Sequence, residues 1–254
     1  MDSANVSEVN DFSPDDDVTL DWHDRTVKFP PQMTACFTAV LNGEYKVPAL
    51  PDAPEVKRVL DLGAACGGFA LWAIDRWPGC KVTCVEPDPD LRRYLRSNVP
   101  EADVWPYAVV EASAHEIGHT VMLFLGPDGH RGFNSIAPVT VGYRWHAKSI
   151  VVPAMDPRGL PPCDVLKIDA EGVELSVLQL YPYLASVWCV IFEWHAEFLR
   201  RPCEEALEAA GFHCVSARTQ DPDMGEQTWC RTRARVCRRG EWKWMMPEQM
   251  GEVT

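Results

Sequence analysis

Asp61-Leu62-Gly63-Ala64-Ala65-Cys66-Gly67-Gly68-Phe69 is the stretch on which the fold turns. It follows a short apolar run at residues 59–62 and precedes a helical segment, residues 69–76, that Pro78-Gly79 breaks. Strand, small-residue turn and helix in that order put a closely approachable backbone at the carboxyl edge of a parallel sheet. Residues 81–85 form a second apolar run that ends in Glu86-Pro87-Asp88-Pro89. Residues 91–98 then read as a helix and 104–109 as a third strand. Continuous apolar strands alternating with helices predict a parallel sheet covered on both faces.

Further along, residues 121–125 and 149–152 read as strands separated by glycine turns, an antiparallel insertion in the α/β core. A strand at 164–169, a helix at 173–184, a strand at 188–193 and a helix at 202–210 follow. Residues 212–217 and 228–236 close the domain as a hairpin. Ahead of the core lie a helix at 32–41 and a connector through Pro48, Pro51 and Pro54. The expected organisation is an acidic, flexible tail over residues 1–25, a lead-in over 26–55, a main domain over 56–240 and a C-terminal tail over 241–254.

The loop admits two cofactor classes. A dinucleotide fold wants G-x-G-x-x-G/A, for which the chain offers the weak variant Gly63-x-Ala65-x-x-Gly68. An S-adenosylmethionine fold wants D-x-G-x-x-x-G, which Asp61, Gly63 and Gly67 match. Glu86, at the end of the next strand, is placed to accept both hydroxyls of a ribose. Asp61 tips the choice: an acid before the loop suits an amino group and a sulfonium charge and opposes a pyrophosphate. A turn with no ligand is the plainer reading, which the strand–loop–helix context and Glu86 weaken.

Composition bounds the rest. The 254 residues, 46% of them hydrophobic, allow one sizeable α/β domain. Against 24 Lys and Arg stand 37 Asp and Glu, a formal net charge of −13, which disfavours bare phosphate backbones. The first 25 residues hold eight of those acids (Asp2, Glu8, Asp11, Asp15, Asp16, Asp17, Asp21 and Asp24) and one arginine. That start reads against a secretory signal. No apolar run approaches the roughly 20 residues that span a bilayer, so no membrane partner is expected. The ten cysteines include no CxxC pair and sit mostly among apolar residues; they read as reduced thiols of a cytoplasmic protein.

Lys167-Ile168-Asp169-Ala170-Glu171-Gly172-Val173-Glu174 ends a buried strand in four charged residues, which is costly unless they are paired or used. Acids favoured by a helix N-terminus are the structural alternative, strongest for Glu174. Taken with the glycine loop, with Val85-Glu86-Pro87-Asp88-Pro89, with Gly132-Phe133-Asn134-Ser135-Ile136, with Val151-Val152-Pro153-Ala154-Met155-Asp156 and with Val190-Ile191-Phe192-Glu193-Trp194-His195, this motif resembles the FkbM-type S-adenosylmethionine-dependent methyltransferases over about residues 56–200.

The resemblance implies the Rossmann-like class I methyltransferase fold: a doubly wound, mostly parallel, seven-stranded sheet with a reversed final strand and the insertion before strand 4. It also implies methyl transfer, usually to oxygen of a small or sugar-like acceptor. By motif, Asp61, Gly63, Gly67 and Glu86 would hold the cofactor, with Ala64, Cys66, Phe69, Pro87, Asp88 and Asp169 completing that set. Asp169, Glu171, Glu193 and His195 would face the substrate. His195 is the first candidate for the base, since its ordinary pKa lies near neutrality, and Asp169 the second. Trp194 reads as core rather than pocket wall. Asp169, Glu171, Glu193 and His195 would also suit Mg2+.

Three competing readings stand beside this one. His115-Glu116-Ile117-Gly118-His119 matches the HExxH zinc-peptidase string but lacks a following Gly-x-x-His and leaves the glycine loop unexplained. Arg231, Arg233 and Arg235 alternate along a strand and, with Arg238, Arg239 and Trp229, Trp242 and Trp244, would offer a nucleic-acid methyltransferase a docking patch. A solvated strand face is the plainer explanation of those arginines. Finally, the fold could serve binding without catalysis.

Overall fold

The computed structural model describes residues 17–111, 120–126, 134–136, 148–221 and 224–232. Strands β1 (Val18–Trp22) and β2 (Arg25–Phe29) pair as an antiparallel hairpin, and helix α1 (Thr34–Leu41) follows. The central sheet is built from β3 (Arg58–Leu62), β4 (Lys81–Val85), β5 (Asp103–Trp105), β9 (Val165–Ile168), β10 (Cys189–Trp194), β11 (His213–Asp221) and β12 (Met224–Cys230). Between its strands lie helices α2 (Gly68–Arg76), α3 (Pro89–Asn98), α4 (Glu174–Leu180) and α5 (Glu197–Ala209). The insertion is a small sheet of β6 (Ala108–Val109), β7 (Thr120–Phe124) and β8 (Ser149–Met155), in the order β6-β8-β7.

The seven strands run β11-β12-β10-β9-β3-β4-β5. Every neighbour pair from β10 to β5 is parallel, and β12 alone runs against its neighbours. This is the class I methyltransferase arrangement. From β3 the chain winds outward to β4 and β5, then returns to β9 on the other side of β3. The switch point therefore lies between β3 and β9, the place in an open α/β sheet where ligands bind.

Both faces are buried, so the strands alternate between two cores rather than between core and solvent. Val59, Val165, Cys189 and Ile191 pack with α1, α2 and α3; Leu60, Leu62, Leu166, Ile168, Val190 and Phe192 pack with α4 and α5. The same alternation puts Asp61, Lys167 and Glu193 on the first face. Trp194 is 1% exposed within the second core, as expected of a core aromatic.

Five expectations are corrected. The closing strand, expected at 228–236, runs over Met224–Cys230. Residues 18–25 belong to the β1–β2 hairpin, not to a solvated tail: Val27 and Phe29 are fully buried, and Val18, Leu20 and Trp22 pack on the same core. The strand expected at 104–109 is two strands in two sheets, because Pro106 has no N–H to continue a ladder. Helix α4 stops at Leu180, short of 184. Helix α5 starts at Glu197, with Pro202 inside it rather than at its start. Among the described residues, no helix is long and apolar enough to cross a membrane, and nine cysteines are free thiols.

Candidate active site

The loop after β3 is held by the end of β4. Gly63 and Ala64 donate to the Val85 carbonyl at 3.0 and 3.2 Å, and the Ala65 N–H donates to Glu86 Oε2 at 2.8 Å. Ala65 adopts a left-handed φ of 46°, which a residue with a Cβ takes only when its surroundings impose it. Gly63 is required by the protein's own packing: a Cβ there would lie 1.7 Å from the Asp169 carbonyl oxygen. A Cβ on Gly67 would meet Leu95 and Val99 at 2.8 Å. The glycines thus let β3 meet the turn after β9, and α2 meet α3.

The loop borders a cavity of about 610 Å3. Gly63, Ala64, Ala65, Cys66 and Phe69 form one side, with Glu86 and Pro87 next to them. Tyr107, Val109, Leu123 and Ile136 make an apolar wall from the insertion. Lys167, Asp169, Glu171, Glu193 and His195 form the charged end. The lead-in contributes Met33, Cys36, Phe37 and Tyr45, so residues 26–55 are part of the site rather than a separate unit.

Three residues expected to hold a cofactor lie behind this lining. Asp61 is fully buried and forms a 3.3 Å ion pair with Lys167. Lys167 donates to the Gly63 carbonyl at 2.7 Å and pairs with Asp169 at 3.2 Å. The acid before the loop therefore anchors a lysine instead of meeting a sulfonium or an amino group directly. Asp88 caps α3, accepting from the Asp90 N–H, and also accepts from the Asn134 amide, both at 2.8 Å. Gly67 packs against α3, as above.

Glu86 is 4% exposed and accepts from the Ala65 and Asp88 N–H groups. Burial, reinforced by Asp88, pushes its pKa up to about 7. Glu193 accepts a 2.7 Å hydrogen bond from Tyr45 Oη, and burial and Asp169 push its pKa up to about 7. Burial, then Glu193, raise the Tyr45 phenol well above its ordinary value, so it donates this bond.

His195 is 3% exposed and enclosed by carboxylates. Its Nδ1 lies 3.1 Å from Glu174 Oε1; its Nε2 lies 3.4 Å from Glu171 Oε1 and 3.6 Å from Asp169 Oδ1. Burial lowers its pKa, but Glu171, Glu174 and Asp169 outweigh burial and the net shift is well upward. His195 thus stands at the charged end of the cavity, as expected of a residue facing the substrate, with three carboxylates around it. Burial raises Glu171 to about 8. Glu171 has a left-handed φ of 51°; the Ser135 hydroxyl donates to its carbonyl at 2.9 Å, and the Gly172 N–H donates to Glu174 Oε1 at 3.0 Å.

Lys167, Glu174, Tyr45 and Asn134 had no assigned role in the sequence reading. Lys167 and Glu174 stand within the quoted motif, and their burial is the signal that places them. Tyr45 carries no local signal, being 148 residues from its partner. Arg231 donates to the Val187 and Leu184 carbonyls at 3.0 and 3.2 Å and lies over the Phe212 ring. Arg233, Arg235, Arg238 and Arg239, the tryptophans 242 and 244, and the HExxH string at 115–119 lie outside the described residues.

No family model and no curated protein matches the chain in sequence. Solved structures similar to it include Aeropyrum pernix fibrillarin in complex with S-adenosyl-L-methionine (14% identity, 84% of this chain and 82% of that one, TM-score 0.44). They also include precorrin-6y C5,15-methyltransferase from Geobacter metallireducens (14%, 78% and 87%, TM-score 0.40). A third is the ribosomal protein L11 methylase of Lactobacillus delbrueckii subsp. bulgaricus (12%, 79% and 79%, TM-score 0.41).

Proposed function

We propose that this chain is an S-adenosylmethionine-dependent methyltransferase that acts on a hydroxyl of a small, sugar-like or similarly polar acceptor. The observation that carries this reading is a single cavity at the switch point. It brings the Glu86 carboxylate, beside the glycine loop, together with the acids Asp169 and Glu193. At about 610 Å3 it falls in the usual range of small-ligand pockets, about 300–1,000 Å3.

The donor set fits the cofactor. Glu86 would accept the ribose hydroxyls, Tyr107, Val109, Leu123 and Ile136 would cover the purine, and the acidic end would suit an amino group and a positive sulfur. When bound, S-adenosylmethionine supplies an electrophilic methyl group. The chain's own part would be to align the acceptor hydroxyl and to accept its proton on a carboxylate. Glu193 is assigned that role. It lines the cavity, Tyr45 pins it, and it takes no part in the ion pairs of His195. Carboxylates along the wall would repel a phosphodiester backbone, which favours a small acceptor over nucleic acid. A cytoplasmic location belongs to the same reading, since six buried free thiols suit a reducing compartment.

The test is turnover against a panel of sugars, polyols and phenols, read as S-adenosylhomocysteine and methylated product. We expect product with at least one hydroxyl acceptor and a loss of about 100-fold or more in kcat for Glu193→Gln with cofactor binding retained. Cofactor binding without transfer to any acceptor would favour a binding protein with this fold.

A further inference from the structure

We propose that Asp169, Glu171 and His195 form a binding site for a first-row divalent cation, with Glu174 as the residue that orients His195. The inference uses the cavity of the methyltransferase reading but stands on separate observations. One donor atom from each of the three residues can be chosen so that all lie within 4.8 Å of one another. His195 Nε2 is 3.4 Å from Glu171 Oε1 and 3.6 Å from Asp169 Oδ1. Ligand bonds of roughly 2.1 Å place neighbouring donors roughly 3.0 Å apart at right angles and roughly 3.4 Å apart in a tetrahedron. The spacing is long for a hydrogen bond and close to that of ligands around one ion.

The second observation is an orphaned atom. Glu171 is 5% exposed, and its Oε2 is buried without a hydrogen-bond partner. A buried carboxylate oxygen left unmatched is costly, and a cation that Glu171 binds through both oxygens would satisfy it. The charge count agrees. Asp61, Asp169, Glu171, Glu174 and Glu193 surround Lys167 and His195. Among the described residues, the ion pairs of Glu171 and Glu174 run to His195 alone.

The third observation is orientation. Glu174 Oε1 sits 3.1 Å from Nδ1, so Nδ1–H donates to Glu174 and Nε2 turns toward Asp169 and Glu171. A carboxylate that holds the far nitrogen of a histidine is the arrangement that fixes a metal-binding imidazole. The donors also choose the ion. Mg2+ prefers an all-oxygen shell, whereas an imidazole beside two carboxylates suits Mn2+ and its first-row neighbours. Glu193, included in the sequence-based Mg2+ set, bonds to Tyr45 and is not part of this group.

The experiment titrates the full chain with Mn2+, with neither cofactor nor acceptor present, by calorimetry and electron paramagnetic resonance. We expect one ion per chain, a nitrogen coupling in the spectrum, and retention of bound Mn2+ against a tenfold excess of Mg2+. His195→Ala should abolish the nitrogen coupling and weaken binding at least tenfold, and Glu171→Gln should weaken it similarly. Glu174→Gln should weaken it about 10–100-fold, the usual effect of losing an orienting partner. Circular dichroism separates unfolded variants from site effects. No binding at 1 mM Mn2+, or binding unchanged in folded Glu171→Gln and His195→Ala, would overturn the site. Because no cofactor is used, that failure is distinct from failure of the methyltransferase reading, which cofactor calorimetry tests.

Discussion

Tyr45 Oη donates a 2.7 Å hydrogen bond to Glu193 Oε1, tying the lead-in to the carboxyl end of β10. The bond holds a cavity-lining acid in place, and it also closes one wall of the cavity. Tyr45→Phe should therefore do two things. It leaves a buried carboxylate short of a donor, which costs about 1–3 kcal/mol, and it loosens the proposed base. A lower urea midpoint together with a reduced kcat at nearly unchanged cofactor affinity is the expected pattern. Unaltered turnover would mean that Glu193 needs no such support.

In the proposed methyltransferase, Glu86 should give cofactor binding a pH dependence. Ribose hydroxyls donate best to the ionised carboxylate, and the free-protein pKa lies at about 7. Affinity should rise about tenfold from pH 6 to pH 8 as the group loses its proton. Calorimetry at those two pH values checks this, with Glu86→Gln expected to bind weakly and without that slope.

The same group fixes a sign for stability. Its folded pKa is raised from 4.5 to about 7, so its contribution is fully present below pH 4.5 and is lost as pH rises through 7. Glu226, raised to about 8 by burial, acts in the same direction. The ligand-free protein should lose stability between about pH 4.5 and pH 8, with a smaller loss in Glu86→Gln. Denaturant midpoints across that range give the test.

Lys167 and Asp61 are 3% and 0% exposed and depend on each other. Asp61→Asn should cost about 3–5 kcal/mol, the usual consequence of breaking a buried ion pair from one side. The double change Asp61→Asn with Lys167→Met should recover part of that loss. Additive losses in the double-mutant cycle would show that the pair is not coupled.

Gly63→Ala should be more damaging than Gly67→Ala. The first drives a Cβ against fixed backbone at Asp169; the second meets the ends of Leu95 and Val99, which can shift. Both positions carry positive φ, so both substitutions are strained. Thermal melts rank the two.

The parallel strands β3, β4, β9 and β10 were legible because each is a largely apolar run bounded by glycine, proline or acids, whereas the polar sequences of β11 and β12 left the bounds of the closing hairpin open. The glycine loop, Glu86 and the Lys167 motif lie at strand ends, where local patterning is strong. What was not legible depends on distance in the chain. Nothing near Tyr45 signals a partner at Glu193, and nothing near Val18 signals that an acidic segment forms a hairpin on the core. Residue type also misled: Asp61 reads as a ligand because it is an acid before a glycine loop, yet strand alternation turns it toward Lys167. Nothing next to His195 in the chain signals that Asp169, Glu171 and Glu174 gather around it.

The most direct test of the central claim is calorimetry of S-adenosylmethionine binding to the full chain and to Glu86→Ala. The account predicts one site per chain and at least tenfold weaker binding in the variant. No heat at millimolar cofactor, or equal affinity in the two proteins, would contradict it.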